Sequence, residues 1–230
     1  MKSALDTMEP IERVTLGDRV HEELCDLLMA GKLFPGDKLS LRNVAATMGV
    51  SMMPVREAVT RLVAEEALTV APNRAVSVPV MTLTRLRELT LIRSEIEGFA
   101  VAQAALHRTD KELMRMRSLD EQFRAAVKSD SPNAEKSLKL NKDLHFAVYN
   151  AARLPLLSGI IQGLWLKVGP VINLDLRSSS ERLRSGDAEQ CHARLVAAIE
   201  AHEPDKARAA LTDDILSSSQ FIQSTGILPD

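Results

Sequence analysis

Aromatic side chains are nearly missing: one Trp, one Tyr and five Phe in 230 residues, 3% of the chain. Any core must therefore be built from Leu, Val, Ala, Ile and Met, a composition that favours helices over sheets. Cysteine is scarce as well. Cys25 and Cys191 stand far apart and form no metal-type pair, and the first residues show no charged-then-apolar signal pattern. A reduced, cytoplasmic protein is the expectation. No apolar run approaches the ~20 residues that span a bilayer, so no membrane role is expected. Charge of one sign is lacking too. The 29 Lys and Arg against 31 Asp and Glu leave a net charge of −2, which argues against a protein coated in nucleic acid along its length. Internal repeats and low-complexity segments are absent.

What is present is an ordinary apolar share, 45%. A chain of this length is most simply two domains, since one domain usually runs to about 100–200 residues. The most informative stretch runs from Ser40 to Leu68. Ser40 can cap a helix that carries Leu41, Val44, Ala45 and Met48 on one face, and Gly49 can end it in the left-handed conformation. Ser51 is a fresh cap two residues later. Val55, Val59, Leu62 and Val63 then repeat at helical spacing, with Pro54 in the first turn, where its missing N–H costs nothing. So short a turn makes the second helix cross the first steeply and leaves its N-terminal end projecting. That is the geometry of a helix-turn-helix, whose second helix enters a DNA major groove.

The rest of the chain arranges itself around this motif. Residues 1–13 read as a frayed N-terminus, and residues 14–79 as a winged helix-turn-helix domain. A helix from Leu16 to Ala30 stops at Gly31, and Phe34-Pro35-Gly36-Asp37 makes a turn. Thr69–Ala71 and Ala75–Val78 flank Pro72-Asn73-Arg74 as a hairpin, the wing; its bland alternative is a surface loop. Residues 80–82 read as a hinge. Residues 83–223 read as an all-α bundle with helices near 83–107, 110–128, 133–151, 155–169, 171–184, 187–202 and 204–222, and residues 224–230 as a tail. The fold class is mainly α. Charge agrees locally but not in bulk: residues 1–80 hold 9 Lys and Arg against 11 Asp and Glu, whereas residues 38–74 hold 5 against 3.

The N-terminal domain resembles the winged helix of GntR-family bacterial transcription regulators. The likeness lies in Phe34 to Ser40, Gly49-Val50-Ser51 and Pro54 to Leu62. The helical half resembles the FCD domain of the FadR subfamily, through Arg93-Ser94-Glu95-Ile96-Glu97, Asn141 to His145, and His192. The resemblance implies DNA contacts from Arg42, from Ser51, Met52, Met53 and Arg56 at the start of the recognition helix, and from Asn73 and Arg74 in the wing. Arg56 can fork onto guanine or hold a phosphate, and Ser51 with the free N–H groups of the helix start suits a phosphate oxygen. Many family members carry Arg-Thr where this chain has Met52-Met53. Methionine donates no hydrogen bond, so either a base contact is missing or replaced by an apolar contact with a thymine methyl, or both methionines pack inside. Spacing argues against burying both, since Met52 falls near Val55 and Val59 while Met53 points more towards Arg56. Altered operator preference is the expectation.

Asn141 and His145 share a helix face, four residues apart. By itself that spacing is weak, because a lone helical His is most often a packed or solvated residue. The resemblance adds a divalent-metal site, in which Asn141 stands at an Asp position, His145 and His192 at two His positions, and Asp214 at a third His position. Two nitrogens and two oxygens suit zinc, nickel or manganese. Arg93 falls where family members place an effector-binding Arg; the bland reading pairs it with Glu97 as a helix salt bridge. His21, His107 and His202 read as surface residues.

The resemblance implies a cytoplasmic, homodimeric bacterial regulator that binds a double-stranded DNA operator and is released by a small carboxylate metabolite, with a divalent metal as possible cofactor. It implies no enzyme. Two rivals stand beside it: a metal-dependent hydrolase using His145, His192 and Asp214, and an architectural DNA-binder whose bundle only dimerises.

Overall fold

The computed structural model describes residues 15–128, 134–172 and 186–230. The expected frayed N-terminus, and nearly all of the helix expected over 171–184, lie outside these residues.

Helix α1 (Leu16–Met29) opens on a reciprocal capping box. The Thr15 hydroxyl accepts from the Asp18 N–H at 3.0 Å, and the Thr15 N–H donates to Asp18 Oδ2 at 3.0 Å. Helix α2 (Leu41–Met48) is capped by Ser40, which accepts from the Asn43 N–H, and ends at Gly49 with φ +63°. Helix α3 (Met52–Ala64) begins after Ser51, which has the extended backbone of a cap without the side-chain hydrogen bond. Its hydroxyl is exposed instead.

Three short strands complete the winged domain in the order β1-β3-β2: β1 (Lys38–Leu39), β2 (Thr69–Val70) and β3 (Val76–Ser77), all antiparallel. The wing hairpin therefore exists, and β1 joins it from before α2. Between β2 and β3 the Arg74 N–H donates to the Ala71 carbonyl, and Asn73 Oδ1 accepts from the Ala75 N–H. Arg74 itself takes φ +63°, a left-handed conformation uncommon outside glycine.

Six helices follow among the described residues: α4 (Leu83–His107), α5 (Asp110–Val127), α6 (Ala134–Ala151), α7 (Pro155–Ile172), α8 (Asp187–Glu200) and α9 (Pro204–Ser224). The expected break at Gly169-Pro170 does not occur; α7 runs through Pro170 to Ile172. An interior proline costs a backbone hydrogen bond. Here Val168, Val171 and Ile172 are all buried around it, which offsets that cost. Helix α7 also comes closer to a membrane-spanning length than the sequence reading allows. By length and composition alone it is apolar enough to cross a bilayer, yet Ile161, Trp165 and Leu166 sit in the main core.

That core is continuous across both halves of the chain, from Val20 and Leu28 of α1 through Leu62 of α3 to Trp165 of α7 and Ile199 of α8. A second cluster anchors the linker. Met81 is buried with Leu86, Leu89, Val171, Ile222 and Leu228, and the Leu83 N–H donates to the Pro229 carbonyl at 2.8 Å. The C-terminal residues thus pack back against the start of α4.

Candidate functional site

The start of α3 is available to a partner. Ser51 and Arg56 are exposed, and Met53 is 74% exposed. Met52 behaves differently: it is half-buried and packs against the core formed by Val55, Val59 and Leu62. The apolar face of α3 pins the helix while its first turn projects. Arg42, Asn73 and Arg74 are exposed as well. Arg42, Arg56 and Arg74 form no ion pair among the described residues, unlike Arg61, which binds Asp18 at 2.7 Å.

The second group lies inside the helical domain. His145 on α6, His192 on α8 and Asp214 on α9 are all buried, and their donor atoms lie within 4.8 Å of one another. Helix α6 is distant in sequence from α8 and α9, which follow one another; α8 and α9 pack together, and α4 and α5, on which α6 packs, bring the three side chains to one place. Asn141 is half-buried one turn before His145.

A chain of polar contacts runs from this trio to Arg93. Arg93 grips the Glu97 carboxylate through two hydrogen bonds, of 2.6 and 3.1 Å, and both side chains are buried. Burial opposes the Arg93 charge, but the Glu97 carboxylate outweighs it and raises the guanidinium above its usual range. The Tyr149 hydroxyl donates to Glu97 Oε2 at 2.5 Å, and Trp165 Nε1 donates to the same oxygen at 3.3 Å. Burial, then the Glu97 charge, push the Tyr149 phenol well above its usual range, so it stays a donor.

That proton assignment propagates. The Tyr149 oxygen lies 3.0 Å from His145 Nδ1. With its own proton committed to Glu97, Tyr149 accepts there, so Nδ1 carries the His145 proton. His145 Nε2 faces Asp214 Oδ2, 3.4 Å away. An imidazole nitrogen facing a carboxylate calls for a cation or a proton between them. The residues therefore fit a divalent metal: two imidazoles and a carboxylate, with Tyr149 fixing one ring in the ligating tautomer. Phe123 packs on His192 with ring centroids 4.7 Å apart, and Trp165 lies 5.3 Å from the His145 ring.

His21 differs from the sequence reading. It is buried, because α1 presents it to the end of α3: its Nε2 lies 3.3 Å from Glu65 Oε1, and Cys25 Sγ lies 3.6 and 3.7 Å from its two ring nitrogens. Helical spacing on α1 was the signal available for this pair; Glu65 comes from another helix. Burial, then the Glu65 and Asp26 carboxylates, push the Cys25 thiol up to about 12. His107 and His202 are exposed as expected, and His202 Nδ1 meets the Ala105 carbonyl at 2.7 Å.

A three-stranded sheet carrying a wing hairpin, a projecting helix start and a C-terminal half that is helical among the described residues define a winged-helix DNA-binding protein with a second, helical domain. Comparison with known proteins agrees over both halves. Residues 16–78 match the bacterial regulatory proteins of the gntR family, and residues 88–216 match the FCD domain. The HTH-type transcriptional regulator McbR of Escherichia coli (strain K12) is 32% identical over 203 residues, 88% of this chain and 90% of McbR. The solved structure of E. coli McbR/YncC has a TM-score of 0.85 at 30% identity, covering 93% of this chain and 100% of that one. A probable D-xylose utilization operon transcriptional repressor of Paenarthrobacter nicotinovorans is 26% identical over 211 residues, 91% of this chain and 89% of that protein.

The chain belongs to the GntR family of transcription regulators, in the FadR-like subfamily that carries an FCD domain. It is a DNA-binding regulator and not an enzyme, which sets the hydrolase reading aside.

Proposed function

We propose that the protein is a homodimeric repressor of the bacterial cytoplasm, released from its operator when a small organic acid binds in the helical domain. The observation that carries this reading is the buried polar chain Arg93–Glu97–Tyr149–His145–Asp214 inside an otherwise apolar bundle. So many buried polar groups are costly unless they are satisfied together, which makes the cluster a designed site for something charged. His145, His192 and Asp214 would hold a divalent cation such as zinc, nickel or manganese, with Asn141 on the same helix face as His145. Bound there, the cation supplies positive charge to a carboxylate. Arg93 supplies the second positive group, and an incoming acid competes with Glu97 for it.

Ser51, Met53, Arg56, Arg42, Asn73 and Arg74 meet the operator, Met53 through apolar contact with thymine methyl groups and the arginines through phosphate or guanine. Met52 supports the helix start from its half-buried position. Exposed apolar residues on one side of α4, Leu91, Ile92, Phe99 and Leu106, support a second copy as partner. A two-fold dimer presents two recognition helices to the half-sites of a palindrome. An effector that prefers one arrangement of the reading heads by a few kcal/mol suffices to shift operator occupancy.

The test is a thermal-shift screen of carboxylic acids with and without chelator, followed by gel shifts on the selected operator. An acid that raises the melting temperature and weakens operator binding supports the reading. Acids that bind without changing operator affinity, or none that bind, leave an architectural DNA-binder instead.

A further inference from the structure

His21, Cys25 and Glu65 form a second set of metal-type donors, in the DNA-reading half of the chain and well away in sequence from the FCD trio. We propose that this cluster binds a zinc-type divalent cation, tying α1 to the end of the recognition helix where the two domains meet.

Three observations carry it. His21 and Cys25 are four residues apart on α1, so imidazole and thiol share a face, and Glu65 caps the C-terminal end of α3, which packs on α1. The donor atoms are gathered closely enough to share one ion. His21 Nε2 lies 3.3 Å from Glu65 Oε1 and 3.7 Å from Cys25 Sγ, and all three donors lie within 4.8 Å of one another. Bonds of about 2.0–2.3 Å to a central zinc subtend edges of roughly 3.3–3.6 Å, so the Cys25 thiol, which also lies 3.6 Å from His21 Nδ1, turns toward Nε2 on binding. Finally, Glu65 Oε2 is buried with no hydrogen-bond partner among the described residues. An ion pair between His21 and Glu65 accounts for one carboxylate oxygen and leaves the other desolvated, at a cost a cation removes.

The donor chemistry narrows the ion. Thiolate with imidazole and one carboxylate suits zinc and its analogue cobalt, whereas magnesium, calcium and manganese prefer oxygen. The Glu65 side chain is 39% exposed, so water can complete the fourth position. On binding, the Cys25 thiol gives up its proton to solvent and the thiolate bonds to the cation.

The site's location gives it consequence. The Glu65 carbonyl accepts from Lys167 Nζ of α7, and Glu66, the next residue, pairs with Arg85 of α4 at 3.0 Å and with Lys167 at 3.9 Å. A cation that fixes Glu65 therefore stiffens the residues that join the reading head to the helical domain.

Cobalt(II) titration of the metal-free full chain tests this directly, because only a thiolate ligand gives the intense near-ultraviolet charge-transfer absorption. The band should appear in the wild type, vanish in Cys25→Ser, and persist in Cys191→Ser and in His145→Ala. No band with cobalt in excess, a band that survives Cys25→Ser, or one lost with Cys191→Ser overturns the proposal. Should Cys25→Ser fail to fold, Glu65→Gln at a part-exposed position decides: a loss of cobalt affinity beyond about tenfold supports the site, and unchanged affinity overturns it.

Discussion

Gly169 of α7 lies against the backbone of Leu28 at the end of α1: a methyl group on Gly169 would stand 2.6 Å from the Leu28 carbonyl oxygen. This close approach is where the helical domain meets the reading head, and only a residue without a side chain permits it. Gly169→Ala sets two effects against each other. Alanine favours a helix by about 1 kcal/mol over glycine, while overpacking against an immovable backbone costs about 1–3 kcal/mol. The clash is with main chain, so the cost wins. Urea denaturation should show a net loss of up to roughly 2 kcal/mol, with faster proteolysis in the 79–82 linker.

Mn2+ should bind the His145, His192 and Asp214 trio, where a buried carboxylate supplies oxygen, without engaging Cys25, since manganese prefers oxygen to thiolate. A ligand present at about a hundred times its Kd stabilises the native state by about 2.7 kcal/mol, which in a chain of this size moves Tm by roughly 5–11 °C. Thermal scans should show that rise in the wild type and in Cys25→Ser. His145→Ala should lose it.

The parts of the fold that were legible in the sequence are those fixed by neighbours along the chain. Ser40 caps and Gly49 stops α2 through contacts within a few residues, so both could be read. Arg93 and Glu97 pair at helical spacing, and that too is local. What escaped depends on distant partners. Strand β1 is two residues long and exists only because β3 lies beside it. The helix continues through Pro170 because of what buries it, and His21 is buried by the end of α3. The trio of α6, α8 and α9 was visible through family resemblance, not spacing, since three helices must fold before those side chains meet. The division of Met52 from Met53, by contrast, was legible, because helical spacing sets Met52 beside Val55 and Val59 and turns Met53 toward Arg56.

Asp18 makes stability depend on acid in a defined window. The Thr15 N–H and hydroxyl and the Arg61 guanidinium all donate to its carboxylate, holding it at about 2. A carboxyl lowered on folding contributes stability that is fully present above its unfolded value of about 4 and is lost as pH falls through the folded value. The gap in unfolding free energy between wild type and Asp18→Asn should therefore be flat above about pH 5, shrink below about pH 4, and close near pH 2. Urea melts of both proteins across that range measure it; a gap that widens on acidification would contradict the assignment.

Arg93 and Glu97 should prove far more costly to separate than to neutralise together. Both are buried, Glu97 at 0% exposure, so Arg93→Met strands a carboxylate in the core with Tyr149 and Trp165 as its remaining side-chain donors among the described residues. Breaking a buried pair from one side costs about 3–5 kcal/mol, because the remaining charge keeps its desolvation penalty. Adding Glu97→Gln removes that charge while leaving an oxygen to accept from Tyr149 and Trp165. The double variant should thus recover most of the loss in urea melts, and the coupling between the two positions should exceed about 1 kcal/mol. Additive single effects would mean that Glu97 sheds its charge without Arg93, and that Arg93 is already free to take another carboxylate.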